Sequence, residues 1–206
     1  MKEKGQIFII TAPSGAGKTT IIKNILEKDV GEIGYSISHT TRKPRKGESH
    51  GLHYYFVDRE NFEKMIDAHE FIEWAVVYDY LYGTSISSVN RELSSGKDLL
   101  MDVDIQGSQE IKRQFPDSLS IFILPPSIDI LKERLHKRSP NDKMNIDLRL
   151  KKAEEEIQQC RDYDFIIIND DLRKATKEIE AIIVAQRANK NRRFPLVKKI
   201  FRLQKM

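Results

Sequence analysis

Short, unbroken apolar runs alternate along this chain with longer stretches whose apolar residues recur every three or four positions. Residues 7–10 (Ile-Phe-Ile-Ile) and 165–168 (Phe-Ile-Ile-Ile) are runs of the first kind, and 98–104 and 119–124 carry apolar runs at Leu99–Met101 and Ile121–Leu124. Runs of this length, apolar on successive positions, predict strands buried on both faces. Helical spacing predicts helices over 19–28, 61–68, 128–137, 147–161 and from 172 to about 189. Ser85 before a periodic stretch that Gly96 ends, and Pro116 after Phe115, mark the limits of two more helices. Strand, loop and helix in repeated order imply an α/β fold, a parallel sheet core with helices on both faces. Residues 34–95 break the rhythm. Segments 35–40, 53–57 and 71–78 are short, aromatic and β-branched, which predicts a small, mainly antiparallel insertion. Residues 138–146 are polar and rich in breakers, the composition of a lid.

The loop after the first strand carries the most specific chemistry. Residues 12–19 read Ala12, Pro13, Ser14, Gly15, Ala16, Gly17, Lys18, Thr19, with Thr20 next, between a buried strand and a helix start. This is a P-loop whose usual opening glycine is replaced by Ala12. Gly15 and Gly17 let the backbone turn its N–H groups toward phosphate oxygens. Lys18 adds a point charge for the β and γ phosphates, and the Thr19 hydroxyl suits Mg²⁺. Asp102 ends a buried strand, where a carboxylate orients Mg²⁺ through water or caps the next helix.

Composition narrows the class. With 206 residues, 39% hydrophobic and 32% charged, the chain is long enough for a full core and too apolar for disorder. No apolar run is long enough to cross a bilayer, and the N-terminus lacks the apolar segment of a secretory signal. A lone cysteine, Cys160, allows no intrachain disulfide and suits a reducing cytoplasm. The net charge of +4 hides an asymmetry, because residues 181–206 hold eight Lys or Arg and no acid. Helical spacing after Pro195 favours a solvated helix that docks on the body or on a second subunit, over a nucleic-acid arm.

The P-loop alone does not name the phosphoryl acceptor. No Asn-Lys-x-Asp motif is present, which disfavours a GTPase. The insertion concentrates Arg42, Arg45, Tyr54 and Tyr82, cations and phenols able to grip one phosphate.

Further motifs occur in order: Ser-His-Thr-Thr-Arg-Lys-Pro-Arg-Lys-Gly-Glu (38–48), Gly-Leu-His-Tyr-Tyr-Phe (51–56), Phe-Ile-Glu-Trp (71–74), Leu-Tyr-Gly-Thr (81–84), Met-Asp-Val-Asp-Ile-Gln-Gly (101–107), Ile-Phe-Ile-Leu-Pro-Pro-Ser (121–127) and Ile-Asn-Asp-Asp (168–171). With the P-loop they resemble the guanylate kinases over residues 6–190. The resemblance implies Mg²⁺-dependent phosphoryl transfer from ATP to GMP. It implies a P-loop core (1–33, 96–137, 150–190), a GMP-binding insertion (34–95), a lid (138–149) and an unshared basic tail (191–206). Ser38, Glu73, Thr84 and Asp104 would surround the guanine, Asp102 would also belong to the GMP site, and Arg42, Arg45, Tyr54 and Tyr82 would hold the GMP phosphate. Arg134, Arg138 and Arg149 resemble lid arginines that close on the transferring group, with Lys18 and Arg42 completing the catalytic set. Asn169 would sit with the P-loop at the ATP site, near the adenine. Guanine offers N1–H and N2–H₂ as adjacent donors that the Glu73 carboxylate can accept together, whereas adenine cannot.

Overall fold

The two rhythms are realised as nine strands and eight α-helices in a computed structural model that describes residues 4–28, 33–45, 47–77, 79–138 and 143–203. The strands are β1 (Ile7–Thr11), β2 (Ile33–Tyr35), β3 (His39–Thr40), β4 (Tyr55–Phe56), β5 (Phe71–Val77), β6 (Tyr80–Ser85), β7 (Asp98–Asp102), β8 (Leu119–Leu124) and β9 (Phe165–Ile168). The helices are α1 (Lys18–Glu27), α2 (Arg59–Asp67), α3 (Ile86–Ser94), α4 (Ile105–Gln114), α5 (Ile128–Arg138), α6 (Lys143–Ile157), α7 (Leu172–Arg187) and α8 (Lys190–Ile200). One sheet has five strands in the order β2-β7-β1-β8-β9, the other four in the order β4-β3-β6-β5.

The chain divides into two compact units. The first comprises Gly5–Thr11 and Glu32–Ile121. Here β7 lies between β1 and β2 and pairs with both in parallel, with Ile9 opposite Met101 and Ile10 opposite Asp102. Every residue of β1 is buried, as a continuous apolar run requires. Ile7, Ile9, Leu99 and Met101 join Ile72, Val89, Leu93, Val103 and Ile111 in one core, so α3 and α4 pack on this part of the sheet. A second, smaller core of Phe62, Phe71 and Leu81 holds α2 against the four-stranded sheet. The Phe62 and Phe71 rings stack at 4.5 Å.

The second unit comprises Met1–Lys4, Ala12–Gly31 and Phe122–Met206. In it α1 packs on α7, and α5 on α6 through Leu131, Leu135, Ile146 and Ala153. Helix α8 contains Pro195 and leaves Phe194, Ile200, Phe201 and Leu203 exposed around its end.

Several expectations need correction. The stretch 35–40 is two strands in two different sheets, because Ser36–Ser38 carries the chain from one to the other. The segment expected over 53–57 shortens to β4, which runs parallel to β3, so the insertion is mixed. Strand β6 was not anticipated. Its Tyr-Leu-Tyr-Gly-Thr-Ser has a glycine near its centre and polar residues near its end, which obscures strand alternation although β6 lies between β3 and β5. Helix α6 begins at Lys143, inside the expected lid, and gives way to a 3₁₀ turn at Gln158–Asp162. Residues 139–142 of that lid lie outside the described residues.

Candidate active site

The donor-side residues lie on the loop between β1 and α1. Ala16 N–H donates to Pro13 O at 3.1 Å, folding the loop back, and Gly15 and Gly17 take φ of 94° and 100°. Gly17 is the N-cap of α1, so no side chain caps the helix, and its first turn has no acidic residue. A helix start without such a partner directs orphan N–H groups and the positive end of its dipole outward, the requirement for an anion. Ala12 and Lys18 are half-buried, Pro13 and Ala16 buried, and Ser14, Thr19 and Thr20 exposed. Two groups brace the loop from behind. Asn169, buried after β9, donates its side-chain amide to Ala16 O at 2.7 Å. Arg134 on α5 donates to Ala16 O at 3.4 Å and to Asn169 O at 3.1 Å. Arg134 is therefore turned to the loop backbone. Arg149 lies half-buried on α6, and the side chain of Arg138, the last residue of α5, lies outside the described ones.

The acceptor-side residues form two groups within the other unit. Arg42 follows β3 and is 9% exposed. Its Nη1 and Nη2 donate to the two carboxylate oxygens of Glu48 at 2.9 Å each, its Nε donates to Tyr82 Oη at 3.2 Å, and its Nη1 also donates to Lys43 O at 2.8 Å. The guanidinium lies 5.5 Å from the centre of the Tyr54 ring and 5.9 Å from that of Phe56. Tyr54 and Tyr82 meet edge to face at 5.9 Å. Burial first, and then the neighbouring Tyr82, push the Tyr54 phenol above its ordinary value, so it is a hydrogen-bond donor at neutral pH. Arg45 joins through its backbone N–H, which donates to Glu48 at 2.7 Å, while its side chain is exposed.

Glu48 is the residue that sequence reasoning left without a role. Its signal was present: a lone acid six residues after Arg42 and three after Arg45 in an otherwise basic loop. Hydrogen bonds from Arg42 first, and from the Arg45 N–H second, hold its carboxyl at about 2.

The second group joins Ser38, Glu73, Thr84 and Asp104. Thr84, buried on β6, donates its hydroxyl to Glu73 Oε1 on β5 at 2.7 Å. A hydroxyl has one proton, so the 3.1 Å contact between Ser38 Oγ and Thr84 Oγ1 must be donated by Ser38. The three side chains form a directed chain, Ser38 to Thr84 to Glu73. Burial raises the Glu73 carboxyl above its ordinary value; the Thr84 hydrogen bond offsets this in part, and Asp104 adds to it. Asp104 takes the N-cap of α4, accepting from Gly107 N–H at 2.8 Å. The helix cap thus falls on Asp104, and Asp102 sits half-buried at the end of β7. A Cβ on Gly107 would stand 3.4 Å from Asp104 Oδ1 and 3.5 Å from Glu73 Oε2, so this bare backbone marks where the two carboxylates converge. Both border a cleft of about 550 Å³ that Trp74, Ile86 and Gln114 also line. Acceptor oxygens at adjacent positions match a planar ligand edge that presents adjacent donors.

Comparison with known proteins gives the family. The guanylate kinase family model matches residues 4–186. The chain is 44% identical over 183 residues to the guanylate kinase of Legionella pneumophila (strain Paris), covering 89% of this chain and 87% of that one. It is 45% identical over 189 residues to that of Carboxydothermus hydrogenoformans, covering 92% of each chain. The crystal structure of guanylate kinase from Anaplasma phagocytophilum superposes with a TM-score of 0.75 at 32% identity over 99% of both chains. A family match across most of the chain, on a fold with an uncapped P-loop helix and a carboxylate-rich acceptor wall, means that the chain belongs to the guanylate kinase family.

Proposed function

We propose that this chain transfers the γ-phosphoryl group of ATP to GMP, giving ADP and GDP, and so acts as a nucleoside monophosphate kinase. The observation that carries the choice of acceptor is the Ser38–Thr84–Glu73 chain beside Asp104. It presents carboxylate oxygens where guanine has N1–H and N2–H₂, and would face the N1 lone pair of adenine with repulsion.

Phosphoryl transfer asks the protein for positioning and charge neutralisation rather than a covalent intermediate. Lys18 and the loop N–H groups would hold the donor phosphates. Arg42, Arg45, Tyr54 and Tyr82 would hold the phosphate of GMP; Glu48, Lys43 O and Tyr82 already take four of the five Arg42 hydrogens, so Arg42 would offer its charge and one remaining Nη2 hydrogen. Arg138 and Arg149 would neutralise charge as the group migrates.

The side chains present suit Mg²⁺. Thr19 and Asp102 offer hard oxygen donors, and among the described residues no cluster of three or more His, Cys, Asp or Glu is placed to hold a metal. Mg²⁺ would then take most of its ligands from the nucleotide phosphates and water, with Thr19 direct and Asp102 through water. When bound, it neutralises the β and γ phosphates. No described helix is long and apolar enough to cross a membrane, and with Cys160 as the lone cysteine we assign the enzyme to the cytoplasm, with self-association as the further partner reading for its tail.

The test is steady-state ADP formation with GMP, AMP, CMP and UMP, wild type beside Lys18→Ala. GMP is expected to be preferred by orders of magnitude, and Lys18→Ala to lower turnover at least about 100-fold. Equal rates with GMP and AMP would reject the base assignment.

A further inference from the structure

We propose that Asn169 and Arg134 are positioning residues of the phosphate-binding loop: together they pin the Ala16 carbonyl and thereby set the direction of the Gly17 N–H. This rests on reading that loop as the donor-phosphate site. The three groups close a triangle. Asn169 Nδ2 donates to Ala16 O at 2.7 Å, Arg134 Nη1 donates to the same oxygen at 3.4 Å, and Arg134 Nη2 donates to Asn169 O at 3.1 Å. The triangle is itself fixed. Asn169 N–H donates to Leu124 O at 2.8 Å, and Arg134 lies between Leu131 and Leu135, both fully buried in the core that α5 shares with α6.

The consequence follows from peptide geometry. In a trans peptide the C=O and the following N–H point in opposite directions. An Ala16 carbonyl held toward Asn169 and Arg134 therefore turns the Gly17 N–H the other way, away from the brace. Rotation of this peptide would exchange a donor for an acceptor in front of an incoming phosphate. Ala16 is 0% and Asn169 4% exposed, so water does not readily replace the lost partner. A second observation joins glycine to the brace. A Cβ on Gly17 would stand 2.3 Å from Asn169 Nδ2, so the amide occupies the space that the missing side chain leaves. Gly17 thus meets two demands at once, a φ of 100° and room for the asparagine.

Asn169→Asp is the decisive variant because it keeps the volume and removes the donor. Near neutral pH its carboxylate would face the Ala16 carbonyl with repulsion. The expected result is an increase of about ten-fold or more in the KM for ATP with a fall in kcat, while the KM for GMP stays within about two-fold. Asn169→Ala, which also lacks the donor, should show the same selective loss. An unchanged KM for ATP or equal losses for ATP and GMP would overturn the proposal. If Asn169→Asp does not fold, Asn169→Ser, which keeps a shorter donor, is read for the same split between substrates, and equal losses again overturn it. A wild-type protein that forms no ADP from ATP and GMP would overturn the kinase reading instead. Calorimetric binding of ADP to wild type and Asn169→Asp would then still test the brace.

Discussion

Replacing Glu73 by glutamine probes the acceptor wall with the least disturbance to the fold. The amide oxygen can take the place of Oε1 and keep the 2.7 Å hydrogen bond from Thr84. The amide NH₂ then falls where Oε2 stood, on the side facing Gly107. Guanine N1–H and N2–H₂ would meet a donor there, so one charge-assisted hydrogen bond is lost and two donors oppose each other. A hydrogen bond to a charged group contributes about 1.5–3 kcal/mol, which converts to roughly 10- to 150-fold. The kcat/KM for GMP should fall by that factor, and the rate with AMP should hold or rise, because an amide can pair with adenine N1. A coupled assay of ADP formation with GMP and AMP as alternative acceptors reads both. The ionised carboxylate is the form that accepts both guanine donors, and burial has raised its pKa. The wild-type KM for GMP should consequently increase as pH falls toward the ordinary carboxylate range, from a point above it, and this limb should vanish in the Gln variant. If the GMP-to-AMP ratio of the variant stays within about two-fold of wild type, Glu73 does not read the base.

Three further outcomes are expected. Glu48 is held at about 2 against an ordinary 4.5, so its native partnership contributes above 4.5 and is lost as pH falls through about 2; the stability difference between wild type and Glu48→Gln, from urea melts at stepped pH, should shrink across that window, and a constant difference would sink the assignment. Asp104→Ala should destabilise the protein by about 0.5–2 kcal/mol through the lost α4 cap while Asp104→Asn retains most of it, read by thermal melting; equal melts for both variants would remove the capping role. Phe62, with 0% exposure and a ring stacked 4.5 Å from Phe71, should cost about 3–5 kcal/mol on truncation to Ala and weaken GMP binding more than ATP binding, measured by urea denaturation and by KM, and a loss below about 1 kcal/mol would show that this small core is not what supports the acceptor wall.

The parts legible in the sequence were those whose physics is local. β1 and β8 are almost wholly apolar and buried, as a run of that kind requires, whereas β9 is apolar throughout yet forms the edge of its sheet and leaves Ile166 and Ile168 exposed, against the expectation of burial on both faces. The P-loop was legible because strand, glycines, lysine and helix follow one another in the chain. What escaped was set by distant partners. β6 has no strong alternation of its own, and is defined by pairing to β5 and β3. The 36–38 crossover separates β2 from β3 without any glycine or proline to mark it. Glu48 ends the 38–48 motif, yet its role depends on the backbone bringing it under the Arg42 fork. Asn169 and Arg134 are 153 and 118 residues from the carbonyl they hold, a separation that no spacing rule reaches.

Asp104 starts α4 with a carboxylate that converges with Glu73 near Gly107, so under the proposed function it carries two duties, helix cap and base contact. This narrows the evolutionary routes by which the acceptor preference can drift. Most exchanges at this position fray a helix at the moment they alter selectivity, so a lineage exploring new acceptors meets a stability barrier first. Asparagine is the accessible step, since it keeps an oxygen for the helix start while adding a donor toward the nucleobase.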